Sequence, residues 1–423
     1  FYPQEEEAVR DGGRMLERWH ARQSELLRHE LDRTPVILYA NHPDFQQTNV
    51  ISGQLTEGTG GVTESTRNRI SLPFTGVYAD NDHVLGHELV HAFQYDIAGS
   101  GPSGIQPIGN LPLWLIEGMA EYLSLGREDA HTAMWMRDAV QRDRLPTIEQ
   151  LTTDPRFFPY RYGQALWAYI GGRWGDRIIP SVYRAALQGG FEGALRSVLG
   201  RSSDSLSAEW HRSLRDAYLP ALEGRTPPDQ AGTRLIAQAD EGAMNVSPVV
   251  SPDGKYVAFF SRRGLFSVDL YLADARTGEI LRELASPVRS PHIDAISFVS
   301  SAGSWSPDAR KFAFIVFAEG DNELHVLDVA SRRVEREIKP AGIEAISHVA
   351  WSPDGTTIAI SGMAGGVSDL WLLELASGNV RRLTNDRYAD IQPAWSPDGR
   401  TIAFSTDRGE GTSLDNLVTS RLK

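Results

Sequence analysis

The chain has 423 residues, 41% of them hydrophobic, with 42 basic against 55 acidic side chains and a formal net charge of -13. That is enough for two to four domains with ordinary cores, and the acidic balance lacks the basic footprint that nucleic-acid binding needs, so polyanions are poor partners. Cysteine is absent, which excludes thiol catalysis, thiolate metal sites and disulfides, and leaves His, Asp and Glu to hold any metal.

No apolar run reaches the roughly 18 residues of a membrane-spanning helix. The sequence opens Phe1-Tyr2-Pro3, without Met or a signal-like segment, and so reads as the interior of a longer precursor. Helical periodicity predicts a helix over Gln4 to Glu30, followed by a strand at Val36-Ile37-Leu38-Tyr39. A Gly-rich turn and strand material span Gly60 to Phe74, and from His83 the pattern is helical almost to Tyr218. Strands early and helices late make residues 1–222 an α+β unit. The polar, Pro-bearing stretch Thr226-Pro227-Pro228-Asp229-Gln230-Ala231-Gly232 places a linker at 223–233.

After the linker the sequence repeats. SPDG stands at Ser251–Gly254, SPDA at Ser306–Ala309, and SPDG again at Ser352–Gly355 and Ser396–Gly399, at spacings of 55, 46 and 44 residues. In each copy Pro presets a turn, Asp bonds its own backbone and Gly tolerates the exit geometry, so each is a strand-to-strand turn. Trp305, Trp351 and Trp395 precede three of the turns, and apolar strands such as Tyr256-Val257-Ala258-Phe259 and Thr401-Ile402-Ala403-Phe404 follow. Further strands are expected at Leu324–Leu327, Leu370–Leu373 and Arg381–Leu383. Four strands per forty-odd residues is the signature of a propeller blade. These repeats resemble the TolB-like, WD40-like (PD40) β-propeller family. The resemblance covers 234–423, with Arg234-Leu235 aligning with Arg382-Leu383, and implies about four blades of an incomplete ring.

The chemistry concentrates at Asn81 to Asp96, where NDHVLGHELVHAFQYD contains H-E-x-x-H as His87, Glu88 and His91. This spacing is a known zinc-metallopeptidase signature. On a helix, residues four apart lie about 40° and about 6 Å from each other, so both imidazoles reach one tetrahedral ion and Glu88 sits beside it as general base. No metzincin-type Gly and His follow. Instead Trp114-Leu115-Ile116-Glu117-Gly118-Met119-Ala120 lies downstream. It resembles the W-L-x-E-G-x-A helix of the gluzincins, within the peptidase MA-like group. That resemblance implies a thermolysin-like zincin domain with one Zn2+ held by His87, His91 and Glu117. It also implies that Glu121 orients a ligand histidine through its other ring nitrogen, against the plainer reading of a solvated helix carboxylate.

Residues 57–74 match loosely the segment where such enzymes place an edge strand for an extended substrate, and suit an ordinary core hairpin nearly as well. The Glu-Asn ending of the aminopeptidase version is missing, so aminopeptidase activity is not inferred. For the oxyanion donor, FPYRYGQALWAY offers Tyr160 and Tyr162. The segment resembles the helix that follows the zinc ligands in the peptidase MA-like group, where an aromatic residue precedes Gly-x-Ala. That resemblance implies Tyr162 as the catalytic candidate, with His83 and His211 as alternatives. His83 otherwise reads as a capping or surface residue. Trp114, Trp167, Trp174 and Trp210 read as core, and His292, His325 and His348 as packing or loop residues. No nucleophile elbow, P-loop or dinucleotide fingerprint is present.

The expected function is that of a zinc-dependent peptidase acting on peptide or protein substrates, with a propeller that modulates access or binds a protein partner. The rival is a catalytically inactive, peptidase-like scaffold. An extracytoplasmic location, in a bacterial envelope or secreted, follows from the propeller resemblance.

Overall fold

The structure is a computed structural model that describes residues 2–51, 55–65, 67–99, 107–236, 244–264, 267–290 and 292–408. Helix α1 (Glu6–Leu27) buries Ala8, Met15, Trp19, Gln23 and Leu27 along one stripe and ends on Arg28 in the left-handed conformation. Strand β1 (Val36–Tyr39) leads into the short helix α2 (His42–Gln46), which Asn41 caps by accepting from the Asp44 N–H. Strands β2 (Val62–Glu64) and β3 (Arg69–Pro73) complete a three-stranded sheet of order β1-β3-β2, with β1 parallel and β2 antiparallel to β3. β2 is therefore an edge.

Helices α3 (Tyr78–Ala98), α4 (Leu113–Leu125), α5 (Ala130–Gln141), α6 (Ile148–Thr153), α7 (Pro159–Trp174), α8 (Ile179–Ala194) and α9 (Ser203–Leu222) follow. Glycines set two close approaches among them. A Cβ on Gly86 would stand 2.7 Å from the Trp19 ring, so α1 presses on the back of α3 immediately before His87. At the α4–α7 crossing a Cβ on Gly118 would lie 2.5 Å from the Gly163 backbone, and one on Gly163 would lie 2.6 Å from the Trp114 carbonyl oxygen. The two backbones touch there, which gives the Gly after Glu117 a packing reason. Trp114, Trp167 and Trp210 are fully buried; each removes about 150–250 Å² from water, of order 4–6 kcal/mol before ordering costs. Trp174 is only partly buried against this core.

The expected linker at 223–233 follows the end of α9 and holds one helical turn, α10 (Pro228–Ala231). The first blade starts at Asn245 rather than beside Arg234-Leu235: Leu235 instead lies against the turn at Gly278, and residues 237–243 are outside those described. Strands β4 (Asn245–Val250), β5 (Tyr256–Ser261), β6 (Asp269–Asp274) and β7 (Ile280–Ala285) form that blade in sequence order. The second has a broken inner strand, β8 (Ala295–Ile296) and β9 (Ser304–Trp305), then β10 (Lys311–Ala318), β11 (Asp321–Asp328) and β12 (Val334–Ile338). The third runs β13 (Ala345–Trp351), β14 (Thr357–Ala364), β15 (Val367–Glu374) and β16 (Val380–Arg382). Strands β17 (Asp390–Trp395) and β18 (Ile402–Thr406) begin a fourth, and the expected propeller residues 409–423 lie outside those described.

The four repeat turns are built alike. Ser donates to Asp at 2.6–2.7 Å as Ser251–Asp253, Ser306–Asp308, Ser352–Asp354 and Ser396–Asp398. Each Ser hydroxyl also accepts the backbone N–H that opens the next strand. The fourth position has positive φ in every copy, including Ala309 at 58°. Trp305 and Trp395 tie neighbouring blades together by donating to the carbonyls of Val249 and Ala350, each at 3.0 Å.

Hairpin tips of the propeller dock on the helical unit. Ser368 N–H donates to the Gly76 carbonyl at 2.9 Å, Gly366 sits against Ala8 and Phe74, and Met363 joins the helical unit's core. On the second blade, Gln47 donates to the Gly320 carbonyl at 3.1 Å and Glu57 accepts from the segment at Ser297.

Candidate metal centre

His83, His87 and His91 recur every fourth residue on one face of α3, and Glu117 and Glu121 every fourth on α4. The two helices interleave them. In order, His83 Nε2 stands 3.4 Å from Glu121, Glu121 3.2 Å from His87 Nδ1, His87 Nε2 3.3 Å from Glu117, and Glu117 3.1 Å from His91 Nε2.

The expected metal set is brought together. His87 Nε2 and His91 Nε2 are 3.1 Å apart, so with Glu117 Oε2 they form a triangle with sides of 3.1–3.3 Å. A tetrahedral zinc with bonds of about 2.0–2.1 Å has ligand-to-ligand edges of about 3.3–3.4 Å. Proton placement gives a second test of fit. His91 Nδ1 faces Gln94 Oε1 at 2.8 Å, and Gln94 spends its amide N–H on the Ile116 carbonyl at 3.0 Å, so the His91 proton sits on Nδ1. His87 Nδ1 likewise faces the Glu121 carboxylate. With both rings neutral, the two Nε2 lone pairs converge with a carboxylate oxygen, three acceptors that call for a cation, either an added proton on His87 or a metal ion. The residues fit a zinc ion.

The same crowding governs the metal-free electrostatics. Burial opposes charging of His87, but Glu117 and Glu121 outweigh it and push its pKa up to about 10. Burial alone would raise Glu117, yet His87 and His91 hold it well below the usual carboxylate range. Glu121 shows the same balance, with His83 and His87 as its partners. Glu121 also faces a permanent cation, since Arg161 Nη1 donates to its second oxygen at 3.0 Å. His83, His87 and Glu121 form a second cluster with metal-like spacing, but Arg161 already supplies the positive charge there. His83 is thus part of the ladder rather than a cap or surface residue.

Glu88 is buried and points toward β2: Thr63 Oγ1 donates to its Oε2 at 2.6 Å. Gly61 packs directly on it, and a Cβ there would meet the Glu88 side chain at 2.8 Å. The strand material that sequence reading left between two roles is therefore an edge strand in contact with the candidate base.

Tyr162 is corrected by the geometry. Its ring packs edge-on against Trp135 and Phe157, away from the metal set. Tyr160 takes the place beside the site, its ring stacked on His87 at 6.0 Å and 9° and its hydroxyl paired with Glu117. Burial and then Glu117 raise the Tyr160 phenol far above its usual range, so it remains an O–H donor at neutral pH. His211 is elsewhere, 2.8 Å from the Pro146 carbonyl. Sequence reasoning missed Gln94 and Arg161. Gln94 had a local signal, an amide one helical turn after His91; Arg161 had none.

Comparison with known proteins addresses the other half of the chain. The family described as the TolB beta propeller domain (PD40) matches residues 292–414, and no curated protein matches the chain. Among solved structures, TolB from Acinetobacter baumannii is 25% identical over 38% of this chain and 37% of its own, with a TM-score of 0.32. The β-propeller domain of Cps50 (Swd1) from Myceliophteria thermophila is 12% identical over 41% and 51%, with a TM-score of 0.31. The β-propeller domain of the trilobed protease from Pyrococcus furiosus is 18% identical over 36% and 45%, with a TM-score of 0.26. The chain thus spans just over a third of the length of the Acinetobacter protein. No helix among the described residues is long and apolar enough to cross a membrane. Over residues 292–414 the C-terminal part is a TolB-like β-propeller segment.

Proposed function

We propose that the helical unit is a zinc-dependent peptidase of the gluzincin type and that the propeller governs access to it or binds a protein partner. The observation that carries this reading is the convergence of three acceptor atoms from His87, His91 and Glu117 beside a buried carboxylate, Glu88. His87, His91 and Glu117 would hold a zinc ion, which would supply Lewis acidity at a substrate carbonyl. Glu88 takes the proton of the attacking water and passes it to the leaving amine nitrogen. Thr63 fixes one oxygen of that carboxylate and leaves the other for the transfer. Gln94 and Glu121 hold the two imidazoles in the tautomer that ligation needs. Tyr160 donates to the oxygen on which charge develops, from its stacked position on His87. The outer edge of β2, beside Glu88, receives an extended peptide by strand addition. The TolB-like segment supports an extracytoplasmic setting.

Glu88→Gln tests the reading. With zinc content unchanged, casein hydrolysis falls by about 10²–10⁴-fold, the usual contribution of a general base. Wild-type rates in a zinc-loaded variant would leave a binding scaffold as the better description.

A further inference from the structure

The loop that ends at Gly61 begins at the propeller. Glu57 reaches across to the second blade and satisfies both of its oxygens there: Oε1 accepts from Ser297 Oγ at 2.6 Å and Oε2 from the Phe298 N–H at 3.1 Å. The receiving segment is tied to β10, where Asp294 and Ser297 donate their N–H groups to the Phe317 and Ile315 carbonyls. Four residues past Glu57, Gly61 packs on the Glu88 side chain, and Thr63 of β2 holds the Glu88 carboxylate. The near side of the loop is tied to α2, by Gln46 to the Leu55 carbonyl at 3.0 Å and by His42 to the Thr59 carbonyl at 3.1 Å. Toward the blade, a cavity of about 520 Å³ lined by Leu55, Glu57, Val268, Ile296, Phe298 and Phe317 separates loop from propeller. Close packing does not set the loop on that side, so the charge-assisted bonds of Glu57 do.

We infer that Glu57 is a positioning residue that couples the second propeller blade to the β2 edge and to the Glu88 carboxylate. This rests on the peptidase reading for its catalytic consequence but not for its structural one. The blade acts as the outer wall of the substrate strand's support: when Glu57 is seated, Gly61 and Thr63 hold Glu88 in line and the β2 edge is in register for an extended peptide.

The test compares Glu57→Ala with Gln47→Ala, which removes a neighbouring bond to the same blade, at Gly320, without touching the loop. Hydrogen exchange of residues 61–64 is expected to quicken about tenfold in Glu57→Ala, with α3 protection and zinc content unchanged. Over the same change kcat/KM on an extended peptide falls between about tenfold and a hundredfold, as expected for a small misplacement of reacting groups. Glu57→Gln, which keeps one acceptor oxygen, restores part of both, and Gln47→Ala changes neither. Unchanged exchange at 61–64 in Glu57→Ala, or an equal change in Gln47→Ala, would overturn the coupling and reduce Glu57 to one docking contact among several. If the wild-type protein cleaves nothing, the peptidase reading fails while the exchange comparison still decides the coupling.

Discussion

The two halves of this chain store their structural information differently. The propeller repeats one local device, the Ser-Pro-Asp turn, in which every hydrogen bond closes within five residues of the Ser. The helical unit spends its information once: His83, His87 and His91 on α3 meet Glu117 and Glu121 on α4 and Arg161 at the start of α7. A fault in one turn is confined to one blade. A fault in the helical ladder reaches every member, because each side chain orients the next.

That contrast can be broken by substitutions of graded size. Gly118→Ala places a methyl group into the Gly163 backbone and should cost about 2–3 kcal/mol or more, the scale of overpacking in a closed core, while forcing α4 and its glutamates off α3. Thermal unfolding followed by exchange in α4 and α7 checks this, and an unshifted transition would show that the crossing can relax. Arg161→Met removes the cation that fixes Glu121 and should weaken zinc binding about 10–100-fold in a competitive chelator titration, with the fold retained. Unchanged affinity would make Arg161 a bystander to the ladder. The smallest effect belongs to the propeller. Ala309 alone carries a side chain at the positive-φ position that Gly occupies in the other three turns. Ala309→Gly should stabilise its blade by up to about 1 kcal/mol, the relieved left-handed strain less the added freedom of the unfolded chain. A loss of stability would contradict the equivalence of the four turns.

What was legible in the sequence follows the same division. The repeat turns needed only neighbouring residues, and His87 with His91 needed only a helix, so both could be read directly. Glu117 and Glu121 were reached through a family pattern whose glycine has its physical basis in the α4–α7 contact. Tyr160 and Tyr162 are two residues apart on one helix, so only the packing of α7 on α4 decides which ring faces His87, and the sequence favoured the wrong one. Glu57 and Ser297 are 240 positions apart with no shared motif, and nothing local announces their bond. The start of the first blade was misplaced for a related reason: Arg234-Leu235 resembles a closing strand in composition but lies against the Gly278 turn.

Zinc analysis of protein purified without chelator, paired with X-ray absorption at the zinc edge, addresses the central claim most directly. The arrangement of His87, His91 and Glu117 predicts one zinc per chain with two imidazoles and one carboxylate around it, and loss of that zinc in His91→Ala and in Glu117→Ala. Zinc absent from the wild-type protein, or retained at full stoichiometry in both variants, would contradict it.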